Sequence, residues 1–124
     1  MINMLKEFIF IDETDNDRKK IFNRELYKEY IISIITDFFH SSFSENKTYL
    51  KFCNFLQDIE DYGDVYFLIS EPSYHWAISI KYDTFETTEY EKEIVTNDFL
   101  NNFIEFDKFF FKDKLTQDYL VTID

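Results

Sequence analysis

Residues 16–40 read NDRKKIFNRELYKEYIISIITDFFH, and this stretch does most to decide the fold. Apolar side chains recur along it every four residues, and most have a second apolar side chain beside them. That spacing predicts a long helix with a wide apolar stripe, capped by residues 15–17 and ended by Ser41 and Ser42. The stripe consists of Phe22, Leu26, Tyr30, Ile34 and Phe38, beside Tyr27, Ile31, Ile35 and Phe39.

Two other stretches carry helical signals. Apolar residues at three- and four-residue spacing predict a second helix over about 47–61, which would pair with the first. Gly63, the only glycine, is interpreted as the left-handed residue that ends this second helix. Residues 96–98 offer a cap for a further apolar stretch, from Phe99 to Phe110.

Several shorter segments favour strands. The apolar run over residues 6–12 indicates a strand, with the start of a helix as the alternative. Residues 64–70 and 74–82 are rich in strand formers and are separated by a proline-containing turn, which predicts an antiparallel hairpin. Residues 85–95 indicate a third strand with an acidic solvent face, and a short helix is the competing interpretation. Residues 119–123 indicate a final strand, so the predicted fold class is α+β, with helices packed on one face of a small antiparallel sheet.

Length and composition point to one compact unit. The 124 residues include 45% hydrophobic and 21% aromatic residues, enough for a packed core, so we expect one domain over 1–124. The 13 Lys and Arg residues face 25 Asp and Glu residues, and the formal charge of −12 argues against direct binding of nucleic acid. One glycine and one proline leave no material for glycine-rich phosphate loops, which excludes the usual mononucleotide and dinucleotide sites.

Side chains that usually carry catalysis form no constellation in the sequence. His40 and His75 are too far apart to form a two-histidine metal helix, and His75 alone is weak support for a general base. Cys53 lies among apolar residues, which favours a buried and inert thiol. The acidic stretch 12–17 lacks the central glycine and the twelfth-position glutamate of a calcium loop. We therefore expect a protein that is not an enzyme and that has neither a metal nor another cofactor.

The sequence also bears on cellular location. The first residues lack the basic, apolar and small-residue segments of a signal peptide. The most apolar segment, 30–39, is interrupted by polar residues and is far shorter than the roughly 20 residues that a spanning helix needs. A single cysteine suits a reducing compartment. We expect a cytoplasmic protein that does not contact a membrane.

Two acidic clusters stand out from the general excess of carboxylates. The first acidic cluster lies where the second predicted helix ends and its dipole is already negative, so local stability does not explain it. The second acidic cluster lies on the third predicted strand, where its last three members would share one face and repel one another. A basic partner would relieve the repulsion in both clusters, and tyrosine beside carboxylates is common at tight interfaces. The predicted partner-binding residues are Asp58, Glu60, Asp61 and Asp64 in the first cluster, Glu86, Glu89, Glu91 and Glu93 in the second, and Tyr62, Tyr82 and Tyr90.

This profile of small size, acidity, aromatic content and missing catalytic constellation resembles small bacterial immunity proteins of the contact-dependent inhibition type. That resemblance implies an inhibitor that neutralises a basic cognate toxin, often a nuclease domain, by covering its active site. The profile also resembles phage inhibitors that imitate nucleic-acid charge, including some anti-CRISPR proteins. This second resemblance implies an acidic mimic that occupies the nucleic-acid channel of a host defence protein such as a CRISPR effector. Both resemblances span the whole chain as a profile and transfer no residue role. A small carboxylate enzyme with a divalent metal and an oligomeric scaffold are the weaker alternatives.

Overall fold

The computed structural model describes residues 7–112 and 119–123 and confirms the α+β class. The strands are β1 Phe8–Asp12, β2 Arg18–Phe22 and β3 Leu120–Ile123, and the helices are α1 Arg24–Ser33, α2 Lys47–Gln57, α3 Tyr62–Ser70, α4 Ser73–Lys81, α5 Thr88–Ile94 and α6 Asn97–Phe110. β1 and β2 form an antiparallel hairpin, and β3 pairs antiparallel with the other edge of β2. The predicted strands over 6–12 and 119–123 are therefore confirmed, although Lys6 lies outside the described residues.

The hairpin occupies residues that the sequence assigns to the first helix, so the predicted start of that helix is wrong. Asn16 and Asp17 adopt φ angles of 55° and 56°, a conformation that Asn and Asp tolerate, and they turn the chain between β1 and β2. Burial alternates along β2, with Lys20 and Phe22 facing inward. The sequence does not show this alternation of inward and outward side chains, because Lys20 occupies an inward position where an apolar residue is expected.

The remainder of the predicted first helix is confirmed. α1 begins after Asn23, whose side chain accepts a hydrogen bond from the Leu26 amide (3.0 Å). A π-helical turn, Ile34–Phe38, continues α1, and His40 follows it with a φ of 52°. The fully buried side chains include Tyr27, Tyr30, Ile31, Ile34 and Ile35, all from the predicted stripe.

The predicted hairpin over 64–70 and 74–82 is wrong, because both segments are helices. The Asp61 side chain begins α3 by accepting a hydrogen bond from the Asp64 amide (3.0 Å). Pro72 precedes the first turn of α4, a position where its missing N–H costs nothing. Along α4 the five consecutive residues 76–80 are buried. A helix that is buried on several sides has no polar face, so its sequence cannot be told from a strand by periodicity.

Three further assignments change at the surface. The second predicted helix is confirmed as α2, but it ends at Gln57. Gly63 lies in the first turn of α3 and has a negative φ, so its interpretation as a helix stop is wrong. The third predicted strand is wrong, because α5 occupies this segment, in agreement with the competing interpretation of a short helix.

The predicted cap of α6 is confirmed, since Thr96 Oγ1 accepts a hydrogen bond from the Phe99 amide (3.1 Å).

The inner face of the sheet and the helices enclose one hydrophobic cluster that is rich in aromatic rings. Tyr30 is fully buried within this cluster. Its hydroxyl donates to Asp107 Oδ1 (2.6 Å) and, having no second proton, accepts from Ser73 Oγ (2.8 Å). These two hydrogen bonds connect α1 to the first residue of α4 and to α6.

A buried ion pair ties the hairpin to α3. Lys20 Nζ donates to Asp12 Oδ2 (2.7 Å), and the Tyr66 hydroxyl of α3 donates to the same oxygen. Hydrogen bonds from Lys20, Thr14 and Tyr66 hold the pKa of the Asp12 carboxyl well below its usual range. The Asp12 carboxylate in turn raises the pKa of Lys20. The pair therefore stays ionised although both side chains are buried.

Within the described residues, no helix has both the length and the apolar character required to cross a membrane.

Candidate functional site

The first acidic cluster lies around the connection between α2 and α3. Asp61 is the N-cap of α3, and Asp64 in the first turn of that helix accepts a hydrogen bond from the Glu60 amide (2.9 Å). Carboxylates at a helix N-terminus are stabilised by the positive end of the dipole and by free N–H groups. The expectation that local stability does not explain this cluster is therefore wrong for Asp61 and Asp64. Asp58 is the C-cap at the negative end of α2, but the Arg24 guanidinium, which donates to the neighbouring Gln57 carbonyl, attracts its carboxylate.

The second acidic cluster does not share one face, because its segment is helical. Glu86 precedes α5, and Glu89 and Glu93 lie four residues apart on one side of the helix. Glu91 instead contacts α4: its Oε1 lies 3.4 Å from His75 Nδ1, and its Oε2 accepts a hydrogen bond from Thr87 Oγ1 (2.7 Å). Three of the four carboxylates are thus exposed, while Glu91 fastens α5 to α4.

Two of the predicted tyrosines meet at the second acidic cluster, and the third lies apart. The Tyr82 and Tyr90 rings stack with centroids 4.0 Å apart and planes 10° from parallel, and each side chain remains more than a third exposed (37% and 38%). No residue of α5 is buried, so this stack and the Glu91 contacts hold the helix in place. Tyr62 is half-buried at the start of α3, where it packs against the core.

A groove between α2, α3 and α4 was not anticipated from the sequence. Its volume is about 350 Å³, and we call it the aromatic groove. Lys51, Glu71 and His75 supply its polar lining. Its apolar lining consists of Phe52, Phe55, Phe67, Leu68, Trp76 and Phe85.

A continuous row of rings forms the aromatic groove. The centroid of the Phe67 ring lies 5.4 Å from that of Phe55 and 6.5 Å from that of Trp76, whose own centroid lies 6.2 Å from that of Phe85. Trp76 is fixed, because its Nε1 donates to the Leu68 carbonyl (3.0 Å). Phe67 and Phe85 are 59% and 41% exposed, which is high for large apolar side chains.

Helical register supplies a signal that could have found this groove. On α2, Phe55 follows Lys51 by four residues and precedes the C-cap Asp58 by three. On α3, Phe67 follows Asp64 by three residues and precedes the C-cap Glu71 by four, and such spacings place residues along one side of a helix. In each set an aromatic residue stands between charged residues. The pattern is invisible once residues 64–70 are assigned to a strand, because a strand places adjacent residues on opposite faces.

The described residues offer little for catalysis. His75 Nδ1 lies within 3.3 Å of Thr87 Oγ1 as well as near Glu91, so this nitrogen serves the attachment of α5. Burial raises the pKa of the Cys53 thiol, which keeps it protonated and agrees with the inert interpretation. Among residues 7–112 and 119–123, no three or more His, Cys, Asp or Glu side chains converge to hold a metal ion.

Comparisons with protein-family models, with curated proteins and with solved structures find no match to this chain. The assignment of a function therefore depends on the surface chemistry of α2 to α5. That surface combines exposed carboxylates, a stacked tyrosine pair and an open aromatic groove.

Proposed function

We propose that the protein is a cytoplasmic inhibitor of the immunity type, which binds a basic toxin, such as a nuclease domain, and covers its active site. The observation that carries this proposal is the combination of exposed aromatic side chains with exposed carboxylates on neighbouring elements. Binding sites for proteins use these two groups for different purposes. Carboxylates accelerate encounter with a basic surface, and buried aromatic rings slow dissociation.

The charges of α5 support the steering part of this proposal. Glu89 and Glu93 project from a helix with no buried residue, and Glu86 is exposed just before it. Lys92 Nζ contacts Glu89 Oε1 at 3.3 Å, but both side chains are largely exposed, so water screens the pair. A negative field therefore remains over α5, within a chain whose formal charge is −12.

The exposed rings support the slow-dissociation part. Tyr82, Tyr90, Phe67 and Phe85 each keep more than a third of their surface in contact with water. Aromatic residues at the centre of an interface account for much of its binding energy once a partner excludes water from them. The four rings belong to α3, α5 and the segment that joins α4 to α5.

The experiment is to measure association with the protein encoded immediately upstream of this gene, and to test whether co-production prevents its toxicity. We expect the association rate to fall steeply as salt is added, because screening removes electrostatic steering. Glu89→Gln with Glu93→Gln should lower the association rate at low salt by about threefold to tenfold.

A matched control lies on α6. Glu105 contacts Lys108 at 3.2 Å with the same i,i+3 spacing as Glu89 and Lys92, and its side chain is similarly exposed. Glu105→Gln should leave the association rate nearly unchanged. An association rate that does not depend on salt concentration would contradict steering by α5. An equal decrease of the association rate in the Glu105 variant would contradict it as well. Competition with nucleic acid for the channel of a host defence protein such as a CRISPR effector, together with no binding to the upstream protein, would favour the acidic mimic instead.

A further inference from the structure

The geometry points to the aromatic groove as the site that receives one uncharged apolar side chain, phenylalanine or leucine, from a partner segment that carries lysine or arginine on the side of that residue facing the connection between α2 and α3. This inference rests on the proposed function, since it names the part of a basic protein that the surface recognises. Three observations lead to it: the shape of the groove, the charges in its lining and the charges that continue its walls.

The shape of the aromatic groove suits the insertion of an apolar side chain. A volume of about 350 Å³ lies at the low end of the range for built binding pockets, roughly 300–1,000 Å³. Phe67 and Phe85 flank Trp76 through ring contacts, and both are exposed when the groove is open. An inserted ring or leucine would cover these surfaces and remove water from them, which is the main source of affinity in such sites.

The lining itself favours an uncharged side chain. Lys51 and Glu71 both line the groove and carry opposite charges, so neither sign of charge is preferred inside it. An arginine that entered to pair with Glu71 would also approach Lys51. The remaining lining is almost entirely carbon, and a cation buried there would lose its hydration without full compensation.

The walls favour cations just outside the groove. Asp58, the C-cap of α2, follows Phe55 by three residues, and Asp64 precedes Phe67 by three residues on α3. Three residues of helix correspond to a rise of about 4.5 Å, and one residue of extended chain to about 3.5 Å. Both carboxylates lie at the end of the groove where α2 connects to α3, so a peptide whose apolar residue contacts Phe55 and Phe67 would place the side chains on one side of that residue close to them.

Trp76 provides a direct assay, because it is the only tryptophan in the chain and lines the groove. The probe is the synthetic peptide acetyl-Lys-Lys-Phe-Lys-Lys-amide, titrated while Trp76 fluorescence is recorded. We expect saturable binding with a dissociation constant below about 1 mM. Replacing the phenylalanine of the peptide by alanine should weaken binding by at least about tenfold. Replacing its lysines by serine should weaken binding and abolish its salt dependence.

Phe67→Ala is the variant, and Phe109→Ala on α6 is its matched control. Both side chains are exposed, 59% and 68%, so both variants should fold, and thermal unfolding checks this. Phe67→Ala should weaken binding of the peptide by at least about tenfold, and Phe109→Ala should leave the peptide affinity unchanged. Three results would overturn the inference: no saturable response, equal binding of the alanine peptide, or equal loss in the two variants.

The upstream protein separates this inference from the proposed function. With that partner, Phe67→Ala should raise the dissociation rate at least about tenfold and spare the association rate, the reverse of the α5 glutamine variants. If the partner binds wild type and Phe67→Ala equally, the groove inference falls while the proposed function stands. If the partner does not bind at all, the proposed function fails, and the peptide titration still decides the chemistry of the groove.

Discussion

The hydroxyl of Tyr30 is the polar group whose removal should affect this fold most clearly. It is buried, donates to Asp107 Oδ1 (2.6 Å) and accepts from Ser73 Oγ (2.8 Å). Tyr30→Phe keeps the ring and its contacts but deletes both hydrogen bonds. α4 and α6 then lose their polar attachment to α1, and the Asp107 carboxylate loses its donor.

The size of the effect follows from these two bonds. A hydrogen bond to a charged group contributes about 1.5–3 kcal/mol and a neutral one about 1 kcal/mol. Asp107 is only half-buried, so water recovers part of the loss. We expect a decrease of about 2–3 kcal/mol in the free energy of unfolding at neutral pH, which corresponds to about 10 °C in Tm for a chain of this size.

The cost should also depend on pH. Burial raises the pKa of the Asp107 carboxyl above its ordinary value of 3.8, and the bond from Tyr30 opposes that rise. Without the hydroxyl the folded-state pKa rises further. A carboxyl whose pKa is raised in the folded state binds more protons there, so stability falls as pH increases from the ordinary pKa through the folded one. The decrease is larger in the variant, so the cost of Tyr30→Phe is greatest at neutral pH and shrinks toward about pH 4.

Urea unfolding followed by Trp76 fluorescence measures the free energy of unfolding of wild type and Tyr30→Phe at neutral and at acidic pH. An unchanged m-value is the check on two-state behaviour. Tyr82→Phe is the control, because its side chain is 37% exposed and the substitution should change stability by less than about 0.5 kcal/mol. A loss in Tyr30→Phe no larger than in the control, or one that grows as pH falls, would refute the reasoning.

Two further predictions concern the hairpin and α6. Asp12→Asn should destabilise the protein at neutral pH, since it removes the buried counter-ion of Lys20 and leaves only the more exposed Asp15 carboxylate, 3.1 Å from Lys20 Nζ. Because the pKa of Asp12 is lowered in the folded state, wild-type stability should be lost as pH falls below its ordinary value of 3.8, and urea midpoints should converge with those of the variant. Thr96→Ala removes the cap that receives the Phe99 amide and should cost about 0.5–2 kcal/mol by the same unfolding assay, whereas Thr96→Ser should restore most of it.

The sequence predicts elements well where one face is apolar and the other polar. α2 and α6 have this character, and each begins after a capping side chain, Asn46 or Thr96, of which only Thr96 is predicted from the sequence. α4 does not, because residues 76–80 are all buried. Its apolar residues at 76, 78 and 80 imitate strand alternation, while the intervening small residues Ala77 and Ser79 are buried as well.

The candidate site was predictable only in part. The sequence identifies Tyr82, Tyr90 and the acidic residues around them, and these do lie on adjoining elements. It does not identify the aromatic groove, because the ring of Phe67 meets those of Phe55 and Trp76 only when α3 is a helix packed beside α2 and α4. A cavity between elements depends on their packing, which single-residue patterns do not encode.

The two acidic clusters differ in what their charges do for the folded chain, and this difference makes steering testable. Asp61 and Asp64 accept backbone hydrogen bonds at the start of α3, so neutralising them changes stability and binding together. Glu89 and Glu93 repel each other at i,i+4, which costs α5 about 0.2–0.5 kcal/mol. Glu89 also lies in the first turn of α5, near the positive end of its dipole, and contacts Lys92 (3.3 Å), and these two interactions offset that cost. Replacing both by glutamine should therefore change stability by less than about 0.5 kcal/mol while association slows. Slower association at unchanged stability would assign these charges to partner capture, because a charge that serves only solubility changes neither.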